Sequence, residues 1–298
     1  MKVFVTGATG WVGTPTVQEL IKQGHHVVGL ARSDESAQKL KAMGATALRG
    51  GLEDINVLKK GAAESDGVIH LGFIHDFANF EHSIKVDAQA IKTICEALEG
   101  TNKALVLTSG TLLLSQMSEG VADELLDISQ VSGPLSARAH NEMCGMKFAN
   151  KGVRVSCVRL APTVHGKGDH GFIPQIISQD KKYGDSFYIG DGQNVWPAVH
   201  VLDAAKLFTL ALEKAPAGSA FHGVAEEGVR TRDIAQAISK VLSCETKSIS
   251  NEEGAEKLGF FGMVFSINNP VSSKKTREIL GWDPVQIGLI EDIIANYK

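Results

Sequence analysis

The chain has 298 residues, 43% hydrophobic and 21% charged, with 31 glycines against 8 prolines. That suffices for one large core, or a core with a smaller lobe, and excludes disorder, collagen and disulfide-stapled miniproteins. A net charge of −4, from 30 basic and 34 acidic residues, offers no field for a polyanion, so no nucleic-acid partner is expected.

From the N-terminus, short apolar runs alternate with amphipathic stretches. Strands are predicted at 3–6, 26–31, 45–49, 67–71, 104–108 and 153–160, and helices at 14–22, 35–42, 80–98 and 135–150. The strand runs lack polar alternation, as strands covered on both faces do. Strand–helix alternation predicts an α/β fold with a doubly wound parallel sheet. After residue 160 the rhythm loosens at Pro162 and at the glycines 166, 168 and 171. Residues 1–160, with 198–213 returning to them, are expected to form a dinucleotide-binding domain, and 161–298 an interwoven substrate-binding lobe.

Cys95, Cys144, Cys157 and Cys244 have no metal-binding spacing and read as small buried hydrophobes in a reducing compartment. No apolar run approaches the ~20 residues of a membrane span. A strand starting at Val3 leaves no room for a signal peptide. These features predict a cytoplasmic protein, monomer or homodimer, with a small-molecule substrate and no membrane partner.

The first strand runs into Gly7-Ala8-Thr9-Gly10-Trp11-Val12-Gly13, and a helix follows. Glycines there let backbone N–H groups approach a pyrophosphate in the positive field of the helix N-terminus. Strand two ends in Ala31-Arg32-Ser33. A guanidinium fork beside a hydroxyl suits a ribose 2′-phosphate, which predicts NADP, while Asp34 keeps NAD possible.

This glycine pattern resembles that of the short-chain dehydrogenase/reductase superfamily. Further motifs resemble its extended branch, the NAD-dependent epimerase/dehydratase family. They are Gly50-Gly51-Leu52-Glu53-Asp54, Val68-Ile69-His70-Leu71-Gly72, Arg159-Leu160-Ala161-Pro162-Thr163-Val164-His165-Gly166, Val199-His200-Val201-Leu202-Asp203 and Leu280-Gly281-Trp282. The resemblance implies a Rossmann-type sheet with a smaller C-terminal substrate lobe. It places the cofactor on Gly7, Thr9, Gly10, Trp11, Val12 and Gly13, with Leu52 at the adenine. Leu71, Gly72, Phe73, Thr108, Arg138, Pro162, Thr163 and Val164 complete the implied cofactor cleft.

The family's Tyr-x-x-x-Lys acid/base pair has no counterpart at Tyr183, Tyr188 or Tyr297, none of which precedes a lysine by four. Taking Glu142 as the glutamate that often follows that tyrosine by eight puts Pro134 in the tyrosine slot and Arg138 in the lysine slot. The usual strand-five hydroxyl falls on Gly110, flanked by Ser109 and Thr111, candidates to polarise a carbonyl. Arg138 is too basic to exchange protons but can hold ribose hydroxyls or an anion. His165, or water, is the candidate proton source. The His165–His170 loop lacks metal-ligand spacing, and no metal is expected. Phe73, Leu112, Phe172, Trp196 and His200 are expected to line the substrate cleft, with Phe77 and Phe260 among further apolar candidates. The expected function is NADPH-dependent reduction of a hydrophobic carbonyl compound. The alternatives are a nucleotide-sugar epimerase or dehydratase and, as a non-enzyme, an NADP(H)-binding redox sensor.

Overall fold

A computed structural model describes residues 1–76, 79–115, 117 and 120–297. The N-terminal half runs β1 (Lys2–Thr6), α1 (Gly13–Lys22), β2 (His26–Ala31), α2 (Asp34–Ala42), β3 (Thr46–Arg49), α3 (Ile55–Ala63), β4 (Gly67–His70), α4 (Phe80–Leu98), β5 (Ala104–Gly110), α5 (Ser136–Met146) and β6 (Arg154–Leu160). There follow β7 (Thr163–His165), α6 (Phe172–Tyr183), β8 (Asp185–Ile189), β9 (Val195–His200), α7 (Val201–Lys214), β10 (Ser219–Gly223) and β11 (Glu226–Arg230). The chain ends with α8 (Thr231–Leu242), β12 (Glu245–Ile249), α9 (Asn251–Leu258), α10 (Phe260–Phe265), α11 (Lys274–Leu280) and α12 (Leu289–Asn296).

Seven strands form one parallel sheet in the order β10-β6-β5-β4-β1-β2-β3. The order reverses between β1 and β4, and in such sheets a ligand crevice opens at the strands' carboxyl ends at that point. Alternation along β1 explains why its sequence is apolar throughout. Val3 and Val5 join Val17, Leu20 and Phe208 on the face carrying α1 and α7. Phe4 joins Leu58, Ile91 and Ile94 on the face carrying α3 and α4. Each buried side chain of this size stabilises the fold by about 1.5–3 kcal/mol.

The seventh strand, β10, comes from within residues 161–298, so the later chain completes the sheet as well as building the lobe. In the lobe, β11, β9 and β7 form a three-stranded sheet and β12 pairs with β8. Trp196, Ile173, Ile234, Phe265 and Leu289 make its core. Two of the motifs prove to be one joint. Trp282 Nε1 donates to the Asp203 carbonyl (3.0 Å), and the Asp203 carboxylate accepts from Val285 N (3.2 Å) and Gln286 N (3.0 Å). The C-terminal segment is thereby tied to α7.

Cys95 and Cys157 are buried, and burial pushes the Cys95 thiol up to about 12. Cys144 and Cys244 are only partly buried, which corrects the expectation of four core cysteines. Among the described residues no helix is long and apolar enough to cross a membrane.

Candidate functional site

The glycine loop between β1 and α1 is fixed by contact. Gly7 has φ 65°, and Gly10 N donates to Gly7 O at 2.9 Å. A Cβ on Gly13 would stand 1.9 Å from Gly7 O, and one on Gly7 would stand 2.7 Å from Gly72 N. Both positions therefore require glycine. A Cβ on Gly10, which is exposed, would meet only Gly7 O, at 3.2 Å. No side chain caps the N-terminus of α1. Thr14 N and Thr16 N already donate to Gly10 O (2.9 Å) and Val12 O (3.1 Å) and Pro15 has no N–H, so it is the backbone of the Trp11–Gly13 stretch that fits a pyrophosphate. Trp11 Nε1 donates to Val164 O (2.8 Å), pinning the loop to β7, and its ring meets His170 edge-on.

At the far end of β2, Arg32 is exposed and Ser33 is spent as a helix cap, its Oγ accepting from Ser36 N at 3.2 Å. Asp34 pairs with Arg49 at 3.3 Å, and Arg49 lies beside Ala31 across the β2–β3 ladder. Lys39 Nζ donates to Thr9 O at 2.9 Å. Cations thus outnumber the acid here. Leu52 abuts Gly72, where an added Cβ would come within 2.8 Å of Leu52 Cδ2.

The other end of the crevice holds a buried polar chain. Thr6 Oγ1 accepts from Gly72 N (3.0 Å) and lies 2.8 Å from His70 Nδ1. His70 Nε2 is 3.4 Å from Asp87 Oδ1. Asp87 Oδ2 accepts from Arg138 Nη1 (3.0 Å) and Asn141 Nδ2 (2.9 Å). Arg138 Nη2 reaches Thr108 O (3.3 Å), and its guanidinium lies 4.3 Å above the Phe73 ring. Burial opposes ionisation of Asp87, yet bonds from His70, Arg138 and Asn141 hold its carboxyl below the usual range. Phe73, Thr108 and Arg138 are brought together as expected; His70, Asp87 and Asn141 were missed. The missed signal was a carboxylate on the face of α4 that carries Ile84, Ile91 and Ile94.

Other candidates separate. Ser109 is buried beside Arg159 on the β5–β6 ladder, its Oγ lacking a partner among the described residues. Thr111 is buried and accepts from Asn269 Nδ2 at 3.5 Å. Arg159 forms a buried ion pair with Glu142 (2.7 Å), fixing α5 on β6, and Pro134 is exposed. Thr163 is buried, whereas Pro162, Val164 and Leu71 are partly buried.

Two expectations need correction. His165 is 1% exposed, with Nδ1 2.8 Å from Asp292 and its ring against His200, so its imidazole is an interior group paired with Asp292 instead of an exposed donor. Trp196 is 0% exposed, packed on Phe265 and Phe172, and belongs to the lobe core instead of the cleft wall. His200 caps α7, its Nδ1 accepting from Leu202 N at 3.2 Å. Leu112 and Phe172 are partly buried and adjoin the lobe core; Phe172 also meets Phe260 and Phe261. Phe77 lies outside the described residues. Among those residues, no three His, Cys, Asp or Glu side chains are grouped to hold a metal ion.

The sequence profile of the NAD dependent epimerase/dehydratase family matches residues 3–222. The chain belongs to this family. It is therefore an enzyme of small-molecule chemistry with a pyridine nucleotide cofactor. An uncharacterised protein of Schizosaccharomyces pombe is 48% identical over 296 residues, 99% of each chain. A 4-hydroxy-2-methyl-3-oxo-4-farnesyl-3,4-dihydroquinoline-1-oxide ketoreductase of Stigmatella aurantiaca is 27% identical over 265 residues, 85% of this chain and 75% of that one. The fold is shared with UDP-glucose 4-epimerase of Thermus thermophilus, solved with NAD, at a TM-score of 0.77 and 20% identity over 99% of this chain and 97% of that one.

Proposed function

We propose that this member of the epimerase/dehydratase family is an NADPH-dependent reductase of a hydrophobic ketone, aldehyde or conjugated carbonyl. The observation that carries the reading is Arg138 locked between Asp87, Thr108 O and the Phe73 ring. An arginine so held can orient a ligand, and guanidinium chemistry does not suit it to proton exchange. With proline at 134 and arginine at 138, those two slots hold no group that abstracts and returns protons, as epimerisation and dehydration require. Reduction asks for less: one hydride, one proton and donors for the oxygen that gains charge.

Gly7, Thr9, Gly10, Trp11, Val12 and Gly13 would hold the pyrophosphate, and Leu52 the adenine. Arg32, aided by Arg49 and Lys39, would meet a 2′-phosphate. Leu71, Gly72, Phe73, Thr108, Arg138, Pro162, Thr163 and Val164 would bound the nicotinamide, which when reduced supplies the hydride. Ser109 is a strand-five hydroxyl without a partner among the described residues and is the candidate carbonyl donor. Phe73, Leu112 and Phe172 would offer apolar walls. The relative named as a ketoreductase of a farnesylated quinoline oxide supports an apolar oxo substrate.

Multiple-turnover oxidation of NADPH and NADH with aromatic and long-chain ketones, aldehydes and enones tests the proposal. Faster turnover with NADPH on apolar carbonyls is the expected result. Interconversion of nucleotide sugars without net cofactor oxidation would establish the epimerase alternative. Tight binding without turnover on any carbonyl would establish a redox sensor.

A further inference from the structure

His75 follows β4 on the same segment as Phe73 and is exposed. Its ring meets Phe73 edge-on, with centroids 5.2 Å apart and planes at 76°. The same Phe73 ring carries the Arg138 guanidinium at 4.3 Å. Phe73 is thus a shared wall between the residue in the lysine slot and an exposed imidazole. A second imidazole, His170, which meets Trp11 edge-on, is within electrostatic reach of His75.

Among the described residues, the charged groups near His75 come from several elements. Arg138 projects from α5, paired with Asp87 of α4, and His170 comes from the loop after β7. Asp76 follows in its own segment. Partial desolvation, then Arg138, hold the imidazole below the usual histidine range; a hydrogen bond to the Phe73 backbone opposes this and His170 adds to it. A lowered pKa makes the imidazolium a stronger acid, while solvent access lets it be recharged.

Resting on the reductase reading, we propose that His75 is the proton donor, taking the role sequence reasoning gave to His165. As a hydride joins the carbonyl carbon, the C=O π pair moves to oxygen. The imidazolium N–H bond breaks and its proton goes to that oxygen. The product is the alcohol, and the neutral imidazole regains a proton from water. The overall balance is carbonyl, NADPH and one proton in, alcohol and NADP⁺ out.

The test compares His75→Gln, His75→Ala and His170→Gln across about pH 4.5–8. We expect kcat/KM of the unmodified enzyme to fall as pH rises through a pKa below the usual histidine value. His75→Gln should lower kcat about 10²–10⁴-fold, abolish that limb and leave NADPH affinity unchanged. Added imidazole should restore turnover to His75→Ala, which a structural role would not permit. An unchanged kcat and limb in His75→Gln, or a limb lost only in His170→Gln, overturns the proposal.

An activity-independent arm follows the imidazole NMR signal of His75 during titration with NADP⁺ and with 2′-phospho-ADP-ribose, which lacks nicotinamide. A response to NADP⁺ alone places His75 at the nicotinamide; an equal response to both, or none, removes it from the reacting face. If no carbonyl is turned over, the reductase reading fails and this arm still decides where His75 stands.

Discussion

Asp87 of α4 and Arg138 of α5 are joined at 3.0 Å, with the carboxylate 3% exposed and the guanidinium opening toward the cleft. The carboxylate also accepts from Asn141, while the guanidinium also donates to Thr108 O. Such a pair fixes the angle between α4, α5 and β5 at the position where Arg138 meets Phe73. Removing one partner leaves the other charge buried and unpaired, which costs about 3–5 kcal/mol.

Asp87→Ala is therefore expected to lower unfolding stability by that amount at neutral pH, measured by urea denaturation. The pH dependence has a definite sign. Asp87 is held below its unfolded pKa, so its contribution is fully present above that unfolded value and disappears as pH falls through the depressed one. The difference between unmodified protein and Asp87→Asn should shrink below about pH 4. A difference that grows on acidification would contradict the pairing.

The proposed preference for NADPH rests on Arg32, Lys39 and Arg49. NADPH is expected to bind more tightly than NADH, and Arg32→Ala should remove most of the gap. A charged hydrogen bond is worth about 1.5–3 kcal/mol, or about ten- to a hundredfold in affinity. Isothermal titration of both nucleotides against both proteins decides it; equal affinities in the unmodified chain would refute NADP selectivity.

The glycine loop separates packing from binding. Gly13→Ala drives a methyl toward Gly7 O at 1.9 Å and should destabilise the fold as well as abolish binding. Gly10→Ala meets only Gly7 O, at 3.2 Å, a tight backbone contact but far looser than that of Gly13→Ala, so its thermal midpoint should fall much less. Yet its methyl occupies the face where a pyrophosphate would lie, and NADPH affinity should fall at least about tenfold. Calorimetry paired with titration reads both effects.

The sheet was legible because buried parallel strands must be apolar on both faces, and β1 shows why: Val3 and Phe4 point into opposite cores. The glycine loop was legible because Gly7 and Gly13 answer to steric constraints. The polar chain was not. Thr6, His70, Asp87 and Arg138 lie on four separate elements, and only the parallel register of β1 and β4 sets Thr6 beside His70. His165 was misassigned because sequence registers its pKa class but not Asp292, 127 residues away, which covers it. Trp196 was misassigned because an indole in a lobe strand reads alike whether it faces a cleft or the core.

Ser109 offers a separation of structure from chemistry. Its hydroxyl is buried without a partner among the described residues, so replacing it by alanine removes an unsatisfied polar atom and should leave stability unchanged or slightly raised. If the hydroxyl orients the carbonyl, kcat should nevertheless fall about 10²–10³-fold, the scale of a lost oxyanion donor. Full activity in a stable Ser109→Ala protein would take Ser109 out of the site.

The aromatic residues of the lobe divide in the same manner. Trp196→Ala empties a fully buried site against Phe265 and should cost about 3–5 kcal/mol, seen as a lowered urea midpoint. Its indole N–H has no partner among the described residues, so Trp196→Phe loses volume but breaks no hydrogen bond and should be far milder. Phe172 is partly exposed and lies against Phe260 and Phe261, so Phe172→Ala removes partly exposed apolar surface that is proposed to face the substrate. That variant should stay folded, raise KM for an apolar carbonyl and leave NADPH affinity intact, because Phe172 stands far along the chain from the glycine loop and touches none of its residues among the contacts described. Unfolding of Phe172→Ala to the same degree as Trp196→Ala would make both residues core, and the apolar substrate wall would then rest on Phe73 and Leu112 alone.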